Sequence, residues 1–357
     1  MSDNGREQGE FTIAGATAYT YNPLEEEHDL SGHPESHRRM VAISQLLQQH
    51  GILERLRSIE ATPIDMDRLL RVHDRDYVRL VESRARQGGG YLDPDTYVRP
   101  SSYEAALTAA GGAVSLTDAV LSGRARNGFA LIRPPGHHAL PGQGMGFCLF
   151  NNIAVAARFA QAEHRVDRIL IVDFDVHHGN GTQAVFYRDP GVLYFSTHQY
   201  PFYPGTGDWR EIGESEGEGY TVNIPFPYGV GDEGYRRAFE DVLVPITERY
   251  RPQLILVSAG YDAHWDDPLA GMQLSIAGYA EMVRQLIELA EAWCQGRLVI
   301  MLEGGYHLDV LAHSVLTTFR LLEHTSAPVS DPFGPAPRPE RPVDDLLRRV
   351  REVHGLT

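Results

Sequence analysis

Lysine is missing from this chain of 357 residues: all 32 of its basic residues are Arg, set against 48 Asp and Glu for a formal charge of −16. Such an acidic surplus disfavours tight binding to a nucleic-acid backbone and suits cationic partners. It also leaves the chain's own N-terminus as the only amine it carries. Cysteine is nearly missing too, with Cys148 and Cys294 alone. Two cysteines make neither a disulfide framework nor a Cys-based zinc cluster, so any metal has to sit on His and carboxylates. No apolar run is longer than a strand, and the first residues show neither a basic nor an apolar leader pattern. Neither a membrane span nor a secretory signal is expected, and the chain reads as cytoplasmic.

What is present is a 42% hydrophobic sequence without internal repeats, enough to bury one large core. Residues 1–12 are polar and are expected to be disordered, 13–326 form the main domain, and 327–357 hold a Pro-rich segment and a short amphipathic helix from about Val343 to His354. That helix packs on the domain or on a sister subunit, which leaves a homo-oligomer open. Apolar spacing predicts helices over about Arg38–His50, Tyr103–Leu121 and Asn152–Ala162. Leu24 to His37 reads as a surface loop with Glu25, Glu26 and Glu27 as a solvated face. His198 to Gly219 reads as a long loop, of a length that is often functional.

Four segments share one grammar, an apolar run that stops at Gly, Pro or Asp and then delivers polar groups. Phe129–Ile132 leads into Arg133-Pro134-Pro135-Gly136-His137-His138, and Ile169–Val172 leads into Asp173-Phe174-Asp175-Val176-His177-His178-Gly179-Asn180. Leu254–Val257 leads into Ser258-Ala259-Gly260-Tyr261-Asp262, and Leu298–Leu302 into Glu303-Gly304-Gly305-Tyr306. Short apolar runs separated by helices read as buried parallel strands, and ligands bind beyond the carboxyl ends of such strands. All four segments should therefore meet in one crevice.

Residues two apart on a strand share a face, so Asp173, Asp175 and His177 point one way while Phe174 and Val176 pack the other. Asp175, His177 and Asp262 supply the three ligands of a catalytic zinc site that keeps a position open. Two carboxylates and one imidazole form a hard donor set that Fe(II) or Co(II) also suits. His137 and His138 follow a Pro-Pro-Gly turn where no core needs them. One imidazole can take a proton from water while the other holds charge or protonates a leaving amine, with Asp173 and Asn180 as their orienting partners. Tyr306 follows two glycines that bring its phenol toward the metal, where a hydroxyl donor stabilises an oxyanion. Glu303 reads as a structural hydrogen-bonder.

RPPGHHA (133–139), GFC (146–148), DFDVHHGNGT (173–182), PGTGD (204–208), SAGYDAH with DPL (258–269) and EGGY (303–306) together resemble the zinc-dependent histone deacetylase family, nearest its class II and bacterial amidohydrolase members. The likeness runs in order from about Thr17 to about Glu323. It implies a single-domain α/β arginase-deacetylase fold, with a central parallel sheet of eight strands flanked by helices and a narrow tunnel to the metal. It implies Asp175, His177 and Asp262 as zinc ligands, His137 and His138 as the catalytic pair with the second as base, and Tyr306 as the transition-state tyrosine. Gly146, Phe147 and Tyr203 match the tunnel lining, Leu269 the gatekeeper, Asp95 a rim residue that holds the substrate backbone, and Arg38 an arginine below the site. Structural potassium sites map onto Asp173, Asp175, His177, Ser196 and Thr197, and onto Phe186, Asp189, Val192 and Tyr220.

The activity so implied is hydrolysis of acyl groups from lysine side chains in proteins or peptides. An acetylpolyamine amidohydrolase shares the core motifs, but members of that kind often carry an acid after Asp-Pro, where this chain has Leu269. Asp262-Ala263-His264-Trp265-Asp266 superficially supplies the D-x-H-x-D pattern of a dinuclear ureohydrolase. A binding module without catalysis is the non-enzymatic alternative, and the intact Tyr306 argues against it.

Overall fold

The computed structural model describes residues 16–325, 329 and 331–356. The expected disorder of residues 1–12 lies outside them. Among the described residues ten strands form in chain order: β1 (Thr17–Thr20), β2 (Arg57–Ser58), β3 (Gly90–Tyr91), β4 (Tyr97–Val98), β5 (Asn127–Ala130), β6 (Ile169–Asp173), β7 (Val192–Gln199), β8 (Thr221–Phe226), β9 (Leu254–Ala259) and β10 (Leu298–Leu302). Eight make one sheet in the order β2-β1-β5-β10-β9-β6-β7-β8, parallel throughout, and β3 pairs with β4 apart from it. The α-helices among the described residues are α1 (Arg38–Gln49), α2 (Met66–Leu69), α3 (Arg75–Arg86), α4 (Ser102–Leu121), α5 (Asn152–His164), α6 (Asn180–Phe186), α7 (Asp232–Ala238), α8 (Val244–Tyr250), α9 (Ile276–Cys294), α10 (Leu308–Leu322) and α11 (Asp344–Val353).

The central strands are apolar on both faces because helices cover both. Leu170, Val172, Ile255, Val257, Leu298 and Ile300 enter one core with α1, α9 and α10. Their alternates, Ile169, Ile171, Leu254, Leu256, Val299 and Met301, enter a second with α3, α4 and α5. That two-residue alternation under a double helical layer is the behaviour of a buried parallel sheet. Helix α11 closes the first core through Val343, Leu347 and Val350, so the tail packs on its own domain. Among the described residues no helix is long and apolar enough to cross a membrane.

Two expectations fail here for reasons of local geometry. Arg38 is not the arginine beneath the site. Helix α1 buries Met40, Ile43 and Leu47, and Arg39 shares that face because it precedes Ile43 and Leu47 by four and eight residues. Arg38 points about 100° away and is exposed. Glu25 is no solvated residue either. Pro23–Glu27 winds into a 3₁₀ turn that buries it, and its Oε2 accepts from Arg133 N at 2.9 Å.

Candidate active site

β5, β10, β9 and β6 are neighbours in the sheet, so the four polar segments leave adjacent strand ends. Asp173 lies beside Ser258 in register, and Ala259 beside Leu302. The segments close around a cavity of about 230 Å³ lined by His137, His138, His177, Gly304 and Tyr306 at its floor and by Asp95, Gly146, Phe147, Tyr203 and Leu269 toward its mouth. The alternation of Phe174 and Val176 into the core continues past the end of β6, which leaves Asp173, Asp175 and His177 on the cavity side.

Asp175, His177 and Asp262 present ligand atoms that all lie within 4.8 Å of one another. His177 Nδ1 stands 3.1 Å from Asp175 Oδ1 and 3.3 Å from Asp262 Oδ2. One nitrogen carries at most one hydrogen, and Asp262 Oδ2 is left buried without a hydrogen-bond partner. The backbone makes room for these carboxylates: a Cβ on Gly260 would lie 2.0 Å from Asp175 Oδ2, and one on Gly304 2.2 Å from Asp262 Oδ2. Burial and the neighbouring Asp175 raise the Asp262 carboxyl above its ordinary range. A divalent cation fits this cradle, because the donors are hard, convergent and short of positive charge.

The paired imidazoles have unlike partners. His137 Nδ1 faces Asp173 Oδ2 at 3.1 Å, and His138 Nδ1 faces Asn180 Oδ1 at 2.7 Å. Burial depresses both rings, but the carboxylates of Asp173, Asp175 and Glu303 overcome it at His137 and hold that ring up to about 10. His138 has only a neutral amide, and burial together with the charges of His137 and His177 drives it well below 6.5. The two rings, 4.0 Å apart, are thus pushed in opposite directions by their partners. Tyr306 completes the floor. Its ring meets Phe147 edge-on at 6.0 Å, the Arg39 guanidinium lies 5.2 Å from its centroid, and burial with the nearby Asp262 raises its hydroxyl above the usual range.

At the mouth, Tyr203 stands edge-on to His138 and is 37% exposed. The Asp95 backbone is held by Asp93 Oδ1 and its carbonyl by His33 Nε2 at 3.2 Å. Ser196 Oγ lies 2.9 Å from His198 Nδ1, and Thr197 Oγ1 is buried without a partner. Phe186, Asp189 and Val192 span the turn from α6 to β7 and Tyr220 directly precedes β8; Val192 N donates to Asp189 O and Tyr194 N to Tyr220 O. His264 and Asp266 do not join the cluster of Asp175, His177 and Asp262. His264 packs on Trp265 and Phe333, and Asp266 faces His307 at 3.5 Å, so the D-x-H-x-D pattern does not converge.

Residues 33–322 match the histone deacetylase domain family, which is most of the chain. The chain belongs to the histone deacetylase family. It is 43% identical over 304 residues to a histone deacetylase-like amidohydrolase of Pseudomonas aeruginosa, covering 85% of this chain and 80% of that one. It is 40% identical over 334 residues to the human polyamine deacetylase HDAC10, covering 90% of this chain and 48% of that protein. The crystal structure of the HDA15 HD domain superposes with a TM-score of 0.87 at 36% identity, covering 96% of this chain and 94% of that one.

Of the groups that support this histone deacetylase site, Arg39 lies outside the sequence motifs, while Asp267 of DPL and Glu303 of EGGY lie inside them. Asp267 Oδ2 accepts from the backbone N–H groups of Tyr306 (2.7 Å) and His307 (3.2 Å), and Oδ1 accepts from that of Leu269, so one carboxylate ties the tyrosine loop to Leu269. Arg39 donates to the carbonyls of Glu303 and Gly305 on either side of Gly304. The helical phase of α1 contained that signal. Glu303 accepts from the N–H groups of Gly136 and His137 and from Ser258 Oγ, the structural role its position suggests.

Proposed function

We propose that this member of the histone deacetylase family hydrolyses the acyl amide of lysine side chains in proteins or peptides. The observation that carries this reading is the pair of adjacent imidazoles, one on a carboxylate and one on an amide, facing Tyr306 across the Asp175, His177 and Asp262 cradle. We assign that cradle to Zn²⁺, with Fe²⁺ or Co²⁺ compatible with the same donors. When bound, such a cation supplies Lewis acidity, polarising an amide carbonyl and acidifying a water. His138, neutral with Nε2 toward the cavity, takes the proton of the water that adds to the carbonyl carbon. Tyr306 donates its hydroxyl hydrogen to the oxygen that becomes negative. As the C–N bond breaks, a proton from the histidine pair passes to the leaving amine, and carboxylate and free lysine result. We assign structural potassium to the backbone carbonyls around Asp173, Asp175, His177, Ser196 and Thr197 and around Phe186, Asp189, Val192 and Tyr220; the orphaned Thr197 Oγ1 supports the first set.

The test is turnover of a fluorogenic acetyl-lysine peptide by the metal-loaded enzyme with and without a hydroxamate chelator. Tyr306→Phe should lower kcat by about a hundredfold or more, the scale of a lost oxyanion donor. Full activity in both Tyr306→Phe and His138→Ala would rule the mechanism out. A second reading, deacetylation of an acylated polyamine, is favoured by Asp95 at the cavity mouth, with Asp93 beside it to pair with a second ammonium. Leu269 offers no carboxylate for that purpose. A kcat/KM for acetylspermidine above that for the peptide would reverse the ranking.

A further inference from the structure

Asn180 stands between two side chains and has to choose an orientation. Its Oδ1 lies 2.7 Å from His138 Nδ1, and its Nδ2 donates to Met145 Sδ at 3.4 Å. A neutral imidazole and a primary amide each offer one donor side and one acceptor side. His138 and Asn180 can therefore bond in two ways. In the first, Nδ1–H donates to Oδ1 and Nε2 keeps its lone pair toward the cavity. In the second the amide is turned over, Nδ2–H donates to Nδ1, and Nε2 carries the hydrogen. Each arrangement makes one hydrogen bond between the pair, yet only the first leaves a base facing the substrate. His137 has no such ambiguity, because the carboxylate of Asp173 only accepts.

A thioether has no hydrogen to give, so turning the amide over would set Oδ1 against Met145 Sδ, acceptor against acceptor. The main chain of Met145 is held by its loop, where Cys148 N donates to Met145 O at 2.9 Å. Asn180 is anchored in turn at its backbone, with its N–H donating to His178 O at 2.8 Å. We propose that Met145 is a positioning residue that fixes the amide orientation of Asn180 and, through it, the tautomer of His138 that leaves Nε2 free. The consequence for turnover rests on His138 being the base; the tautomer does not.

The test is nitrogen NMR of the full-length, metal-loaded protein with isotope-labelled histidine, in which His138 is assigned by its loss in His138→Gln. Wild type should show Nδ1–H alone. Met145→Leu removes the acceptor at similar volume, and Met145→Ile gives a second acceptor-free shape; both should show a population with Nε2–H. Their kcat should fall about two- to tenfold with little change in KM, the span that about one hydrogen bond's preference allows. In an Asn180→Asp background the carboxylate only accepts, so Nδ1–H should persist whatever stands at position 145. Nδ1–H alone in both Met145 variants overturns the proposal whatever their activity. A tautomer shift with unchanged kcat would uphold it and count instead against His138 as the base.

Discussion

Two clusters of charge lie buried side by side in this protein, and they are balanced differently. Beneath the site, Glu35 is gripped by Arg133 through Nε and Nη2, each at 2.8 Å, with Arg39 Nη1 at 3.2 Å and all three side chains fully buried. Arg133 Nη1 also donates to Glu25 O at 2.7 Å. The site above gathers Asp173, Asp175, Asp262 and Glu303 around three imidazoles and leaves Asp262 Oδ2 without a partner. The first cluster closes on itself and contributes to holding the fold. The second is closed only by something from outside, and that deficit is its capacity for function.

If that contrast is right, metal should stabilise the second cluster and leave the first indifferent. Chelated protein given Zn²⁺ at about a thousandfold excess over its dissociation constant should gain about 4 kcal/mol, read as a rise in Tm. Asp262→Ala should abolish the gain. An equal rise in that variant would place the metal elsewhere.

Glu35→Gln should destabilise by about 3 kcal/mol in urea titrations, with or without metal, because it leaves Arg39 and Arg133 buried without their anion. The paired guanidinium of Arg133 helps hold the Glu35 carboxyl down against burial, from the usual 4.5 to about 2. A depressed carboxylate contributes stability above its unfolded value that is lost as pH falls through the folded one. Wild type should therefore lose this contribution between about pH 4.5 and 2, and Glu35→Gln should lack that part of its acid limb. An unaltered limb in the variant would assign the loss to other carboxylates.

The sheet and the floor of the site were legible because both are local in sequence. A short unbroken apolar run that stops at polar or turn residues announces a buried strand, and the floor residues His137, His138, His177, Gly304 and Tyr306 follow such strand ends closely. β10 falls on Leu298–Leu302 as its pattern indicates, and β5 ends two residues before the apolar run does. The supports were not legible because their partners are distant in the chain. Glu35 meets Arg133 across 98 positions, and Glu25 meets it across 108. An acidic triplet looks solvated until the partner that buries one member is known. Arg39 was the exception, since the phase of α1 distinguishes it from Arg38 without any partner. Arg39→Met should accordingly lose about 2 kcal/mol, and Arg38→Met should stay within about 0.5. Equal effects would mean that the phase of α1 does not decide which arginine matters.

Glu25 offers the finest test, since it shares Arg133 with Glu35 and yet shifts the other way. Burial raises its carboxyl well above 4.5, with the backbone and charge of Arg133 opposing the shift only in part, and its Oε1 has no partner. A carboxylate whose folded value exceeds its unfolded one contributes stability below about pH 4.5 and loses it as pH rises. Glu25→Gln keeps an acceptor for Arg133 N and removes the buried charge. It should therefore be more stable than wild type by about 1 kcal/mol at pH 7, a fraction of what Glu35→Gln loses there. Near pH 4, where wild-type Glu25 already holds its proton, the two proteins should converge. Destabilisation as large as that of Glu35→Gln would mean that Glu25 is a full partner in the closed cluster, with its charge balanced by Arg133.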